Sequence, residues 1–171
     1  MKRRRFNQIG LRSMVAAAVG SLALTERAAA ARADSLASTS ASAPLEIVVY
    51  RDPNCGCCHQ WITHLKTHDF QVTDQLWEDM TTLKQQYGIP DNLTSCHTAK
   101  VNGYVIEGHV PAEDIRRLIA EKPEVMGIAV PGMPVGSPGM ESGNHRDAFS
   151  VVTFTQAGQT ATFNHYPQIT L

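Results

Sequence analysis

Apolar positions along the chain recur with two periods, and the change from one to the other marks the elements. The run LEIVVY, Leu45 to Tyr50, is short, β-branched and closed by Arg51-Asp52-Pro53, which predicts a buried strand running into a loop. Cys58, Trp61, Ile62 and Leu65 then recur at helical spacing towards Asp69, so a first helix opens inside a cluster of cysteines. FQVTDQLW predicts a second strand, and DMTTLKQQYG a second helix with Asp79 as N-cap and Gly88 past its end. After Pro90, two apolar segments flank Asn102-Gly103 in AKVNGYVIEG, a strong signal for a hairpin of third and fourth strands. Pro111, Glu113 and Asp114 ahead of Ile115, Leu118 and Ile119 predict a third helix that ends before Pro123.

That order matches a thioredoxin-like α/β fold, a mixed sheet with flanking helices in which a parallel βαβ unit is followed by an antiparallel hairpin and a closing helix. Active groups in such a layout gather at the carboxyl end of the first strand, where the first helix begins. Residues 54–59, NCGCCH, occupy that place. Beyond the third helix, GIAVPGMPVGSPGME is dense in Gly and Pro and lacks periodicity, which predicts a long loop with a functional use. AFSVVTF and TATFNHY, separated by a turn, predict a C-terminal hairpin extension.

The start of the chain adds a destination. Residues 1–33 carry a basic beginning, a weakly apolar run from Met14 to Leu24 and an Ala31-Arg32-Ala33 cleavage pattern, which together predict a signal peptide. Arg3-Arg4 followed by Phe6 gives it a twin-arginine character, with an ordinary secretory signal as the alternative, and both lead to the periplasm. Residues 34–44, DSLASTSASAP, read as a flexible linker, and residues 45–171 as the folded domain. After the leader, eight basic side chains face fifteen acidic ones. A net charge near −7 repels phosphate backbones and anionic headgroups, which excludes nucleic acid as a partner. With no later segment long and apolar enough to span a bilayer, the mature form is not expected to insert in a membrane.

Three chemistries compete for Cys55, Cys57, Cys58 and Cys96: structural disulfides, dithiol exchange and metal binding. Adjacent cysteines have Cα atoms about 3.8 Å apart, inside the usual disulfide limit of about 4.4 Å, so a Cys57–Cys58 bridge is disfavoured. A Cys55–Cys58 bridge closes too small a loop to stabilise much, and a bridge to Cys96 would be the better staple. Cys55 and Cys58 also have C-x-x-C spacing at a helix N-terminus, where free N–H groups favour a thiolate. That supports a thiol-disulfide oxidoreductase in which Cys55 attacks and Cys58 resolves, with Cys57 as an awkward third thiol. Metal binding uses every sulfur at once, because the loop entering the third strand brings Cys96 against the turn. Soft thiolates select Cu(I), Zn(II) or iron–sulfur centres, and crowded C-x-C and C-C steps suit sulfurs that bridge several ions. Multinuclear Cu(I) fits best, with iron–sulfur and zinc behind it.

DPNCGCCHQW, SCHTAKVNGYVIEGHVP and GIAVPGMPVGSPGME resemble the signature segments of the CopG-type periplasmic copper-resistance proteins, long known as a domain of unknown function. The resemblance covers nearly all of the chain after the linker. It implies a thioredoxin-like fold whose Cys55, Cys57, Cys58 and Cys96 hold a multinuclear copper cluster. It also implies a role in copper redox handling, in its stronger form as a copper-dependent oxidoreductase, alongside other periplasmic copper-handling proteins.

Other soft or basic groups are weighed against blander roles. His59 and His97 neighbour proposed ligands and serve either as further donors or as polar residues at a wet site. His64 and His68 stand one helical turn apart, a spacing that suits a metal, yet they are expected on the exposed face of the first helix without one. His109 is expected to cap or orient the third helix. Met133 and Met140 offer thioether sulfur from a loop expected to fold over the site as a lid, with gap-filling as the commoner use of methionine. Trp61 is expected in the core under the cluster. His145 and His165 carry no assignment.

Overall fold

The computed structural model describes residues 44–170, so the expected leader and most of the linker lie outside the described residues. Strand β1 (Leu45–Arg51) and strand β2 (Phe70–Leu76) run parallel, with Leu45 opposite Phe70 and Arg51 opposite Leu76, joined by helix α1 (Gly56–Thr67). Helix α2 (Met80–Gln86) follows, its N-cap Asp79 accepting a bond from Thr82 N–H at 3.0 Å, and the chain leaves it through Gly88 at φ +65°. Strands β3 (His97–Val101) and β4 (Tyr104–Glu107) form the expected hairpin, with Asn102 and Gly103 at positive φ as a two-residue turn requires. β3 lies antiparallel to β1, and Arg51 pairs with His97. Helix α3 (Ala112–Glu121) buries Ile115 and Leu118.

The segment expected to be structureless is not wholly so. Within it β5 (Gly127–Ala129) lies parallel to β4, its Gly127 backbone so close that an added Cβ would sit 1.8 Å from the Val105 carbonyl oxygen. A strand of three residues, one of them glycine, has no period to read. After it come β6 (His145–Arg146), β7 (Phe149–Phe154), β8 (Thr160–Tyr166) and β9 (Ile169–Thr170). The C-terminal hairpin β7–β8 docks on β5, giving one seven-stranded sheet in the order β2-β1-β3-β4-β5-β7-β8, with β6 and β9 pairing separately. This is the thioredoxin-like α/β arrangement with its C-terminal extension built into the same sheet. Among the described residues no helix is long and apolar enough to cross a membrane.

Ile47, Val49, Trp61, Leu65, Ile106 and Ile128 form the centre of the main core. Asp114, buried at the start of α3, accepts from Asn164 Nδ2 at 2.9 Å and from the Tyr166 hydroxyl at 2.8 Å, which ties β8 to α3. Under the sheet end that carries Cys96 lies a buried ionic network. Lys84 Nζ is 2.5 Å from Glu107 Oε1, Thr98 donates to Glu107 Oε2 at 2.6 Å, and Ser95 N–H donates to Glu107 Oε1 at 2.6 Å. A paired charge in such a place is costly to orphan, whereas an apolar pair of like volume is tolerated. Glu107→Leu alone should therefore lower unfolding free energy by about 3–5 kcal/mol in urea titrations, and Lys84→Met with Glu107→Leu should recover most of that loss.

Candidate metal centre

The cysteine turn is positioned from both sides. Arg51, buried at the end of β1, makes a two-pronged bond to Asp74 of β2, Nε to Oδ1 at 2.9 Å and Nη2 to Oδ2 at 2.8 Å, and its Nη1 donates to the Asp52 carbonyl at 3.2 Å. Asp52 then shapes the turn, its side chain accepting from Asn54 N–H at 2.7 Å and its carbonyl from Cys55 N–H at 3.1 Å. Cys55 is the N-cap of α1, and Cys57 and Cys58 fill the first turn, so the helix begins earlier than its apolar period showed. The antiparallel β1–β3 pairing carries Cys96 across to meet them.

Sulfur atoms of Cys55, Cys57, Cys58 and Cys96 all lie within 4.8 Å of one another. Cys57 Sγ is 3.5 Å from Cys55 Sγ and 3.6 Å from Cys96 Sγ. Cys55 and Cys58 are joined by a disulfide with Cα atoms 5.5 Å apart, while Cys57 and Cys96 are free thiols. So small a loop adds little stability, which is why no bridge was expected there for stability alone; reduced, the same turn and Cys96 would offer four thiols. Burial pushes the Cys96 thiol up to about 12, with the neighbouring Cys57 adding to the shift.

Two histidines complete the surroundings of Cys96. His97 Nδ1 and His109 Nε2 each lie 3.1 Å from its sulfur, and both rings are buried. His109 was expected to serve the start of α3; instead its Nδ1 donates to the Pro138 carbonyl at 2.8 Å, which leaves the Nε2 lone pair facing the thiol. Its distance in sequence from the cysteines hid this, and only the β3–β4 hairpin brings it back. His97 packs on Trp61, ring centroids 4.3 Å and planes 35° apart, and among the described residues its buried Nε2 has no hydrogen-bond partner. Trp61 is core under the cluster as expected, its Nε1 donating to the Val110 carbonyl at 2.9 Å.

The long loop covers this corner. Gly139, at φ +82°, approaches α1 so closely that a Cβ there would lie 2.6 Å from Trp61 N and 3.1 Å from the Cys57 carbonyl oxygen. Gly132 N–H donates to the Thr94 carbonyl at 3.1 Å, and Ser95 Oγ donates to the Gly132 carbonyl. Met140 is half-buried beside Gly139, whereas Met133 is 53% exposed and His59 is exposed. His64 is not a plain surface residue: it is half-buried and its Nε2 accepts from Ala112 N–H at 3.1 Å, clipping α1 to α3. Burial, then the nearby His68, lowers its basicity. His145 pairs with Asp147 at 2.9 Å and His165 with Ser150 at 3.0 Å, both away from the sulfurs' contacts.

Burial also holds His97 well below its ordinary value of 6.5, with His109 and Lys84 adding to the shift, and lowers His109. A lowered imidazole means that the unfolded chain binds more protons than the folded one once pH falls below about 6.5. Stability should therefore drop as pH goes from 7 to 5, by up to about 1.4 kcal/mol per pH unit for each imidazole, and a His97→Gln variant should show a shallower slope in denaturant titrations.

A search of curated proteins finds no match to the chain. A family model described as a protein of unknown function, DUF411, matches residues 93–140, which include Cys96, His97, His109 and the covering loop. Two solved structures, copper resistance protein CopG in form 1 and in form 2, are each 51% identical and cover 72% of this chain. The match spans 98% of the form 1 chain with a TM-score of 0.69, and 99% of the form 2 chain with a TM-score of 0.70. With that identity sustained along almost the full length of those two chains, this protein belongs to the CopG copper-resistance family.

Proposed function

We propose that the protein binds copper in the periplasm as part of copper resistance, holding several Cu(I) ions through Cys55, Cys57, Cys58 and Cys96 and cycling copper between Cu(I) and Cu(II), each turn passing one electron to an external one-electron acceptor and taking one back from an external one-electron donor. The observation that carries this reading is the meeting of four sulfurs within 4.8 Å at a strand-to-helix turn, in a family whose solved members are copper resistance proteins.

Donor chemistry fits the ion. Sulfurs 3.5–3.6 Å apart are close enough to share one soft ion at a metal–sulfur distance of about 2.3 Å, and Cys57, between Cys55 and Cys96, is placed to bridge. His97 Nδ1 and His109 Nε2 add nitrogen donors around Cys96. Full use of the four thiolates follows two-electron reduction of the Cys55–Cys58 bridge by an external dithiol, which becomes the disulfide in turn. Cys96 gives up its proton on loading, so copper binding releases protons.

The same bridge favours a second reading, a thiol-disulfide oxidoreductase working through Cys55 and Cys58. The two diverge at Cys96. Reduced protein loaded with Cu(I) without oxygen should hold more than one copper per chain by elemental analysis, and Cys96→Ser should lose most of it. Disulfide reductase activity that survives Cys96→Ser, in protein that takes up no copper, would establish the exchange reading instead.

A further inference from the structure

We propose a second metal site, separate from the thiols and built of nitrogen and oxygen donors, formed by His64 of α1 and His68, the residue that caps its C-terminal end, with Glu113 of α3, which takes a divalent ion and prefers Cu(II). One ligand atom from each of the three lies within 4.8 Å of the other two. The histidines are one helical turn apart with ring centroids 4.3 Å from each other, so both imidazoles reach one point. Glu113 comes from the first turn of α3, and before an ion binds the His64–Ala112 contact holds that helix start against α1.

Each donor is already oriented. His68 Nδ1 donates to the His64 carbonyl at 2.8 Å, which leaves the Nε2 lone pair for an ion. The Tyr166 hydroxyl, whose one proton goes mainly to Asp114 Oδ2 at 2.8 Å, lies 3.1 Å from Glu113 Oε1, and the second Glu113 oxygen is open. On His64 the Nε2 lone pair receives the Ala112 amide, so loading breaks that bond and turns the buried amide away from the ring, a cost the ion must offset. Arg116, the neighbouring cation, is tied to the His68 carbonyl and lies over the Phe70 ring at 4.9 Å.

Imidazole and carboxylate are borderline-to-hard donors and suit divalent copper or zinc, with copper ahead in the general affinity order, whereas thiolates select Cu(I). One helix would then present a soft site at its first turn and a site for the oxidised ion at its last. This inference stands without the thiolate reading, and the test is arranged to keep them apart. In a Cys57→Ser, Cys96→Ser background, titration with Cu(II) salt should give one equivalent of a type 2 paramagnetic resonance signal with nitrogen hyperfine splitting. His68→Asn, at an exposed position that leaves the fold intact, should raise the Kd for Cu(II) at least tenfold, and Glu113→Gln several-fold, while His145→Asn should leave it unchanged. A signal indifferent to His68→Asn, or no Cu(II) bound at micromolar concentration, would overturn the site whatever the thiols do.

Discussion

The register between two antiparallel strands governs the sulfur site. Arg51 faces His97 across β1 and β3, so the residue before His97 arrives beside the loop that follows Arg51. Because successive strand residues point to opposite faces, a slip of one position would send the Cys96 thiol to the wrong side of the sheet. Arg51 fixes the other half of the site, since its guanidinium holds β2 through Asp74 and the cysteine loop through the Asp52 carbonyl. A guanidinium with these separate obligations is not replaceable by an ammonium, which lacks the planar fork.

Around this register the protein keeps an unusual amount of polarity out of water. His97, His109, Thr98, Glu107 and Lys84 are all buried at the Cys96 end of the sheet. Each is expensive alone, and the expense is offset by a closed set of partners around Glu107, leaving the His97 nitrogen as the exception. The network acts on Cys96 through the backbone, because Glu107 grips the Ser95 amide, one residue away. Rigid support beneath the sulfurs is the arrangement expected where ligands must be in place before an ion arrives.

Much of this was legible beforehand where pattern and chemistry agree. The helical spacing of Cys58, Trp61 and Leu65, the Asp79 cap and the Asn102-Gly103 turn each carry a local signal, and each forms as expected. So does the meeting of Cys96 with the C-x-C-C turn, which follows from topology. What escaped depends on contacts between distant segments. β5 has too few residues to show a period, and His109 looks like a helix-start residue until the hairpin folds it back onto Cys96. The nearness of Glu113 to His64 is likewise invisible along one helix, since the carboxylate comes from another. The Cys55–Cys58 bridge could be listed as an option but not chosen, because loop entropy argues against it while the helix start argues for it.

Gly139 gives the covering loop a mechanical role. Its backbone rests on Trp61 N and the Cys57 carbonyl, with no room for even a methyl group between them. The first turn of α1 and the loop are therefore packed backbone to backbone: the helix cannot tilt towards the loop, and it can tilt away only by giving up that support. Pro138, the next residue back, holds His109, so the same few atoms of loop backbone brace the cysteine turn on one side and the imidazole beside Cys96 on the other. Geometry around the sulfurs is thus set from outside as well as from beneath, as a stone in a ring is held by its prongs.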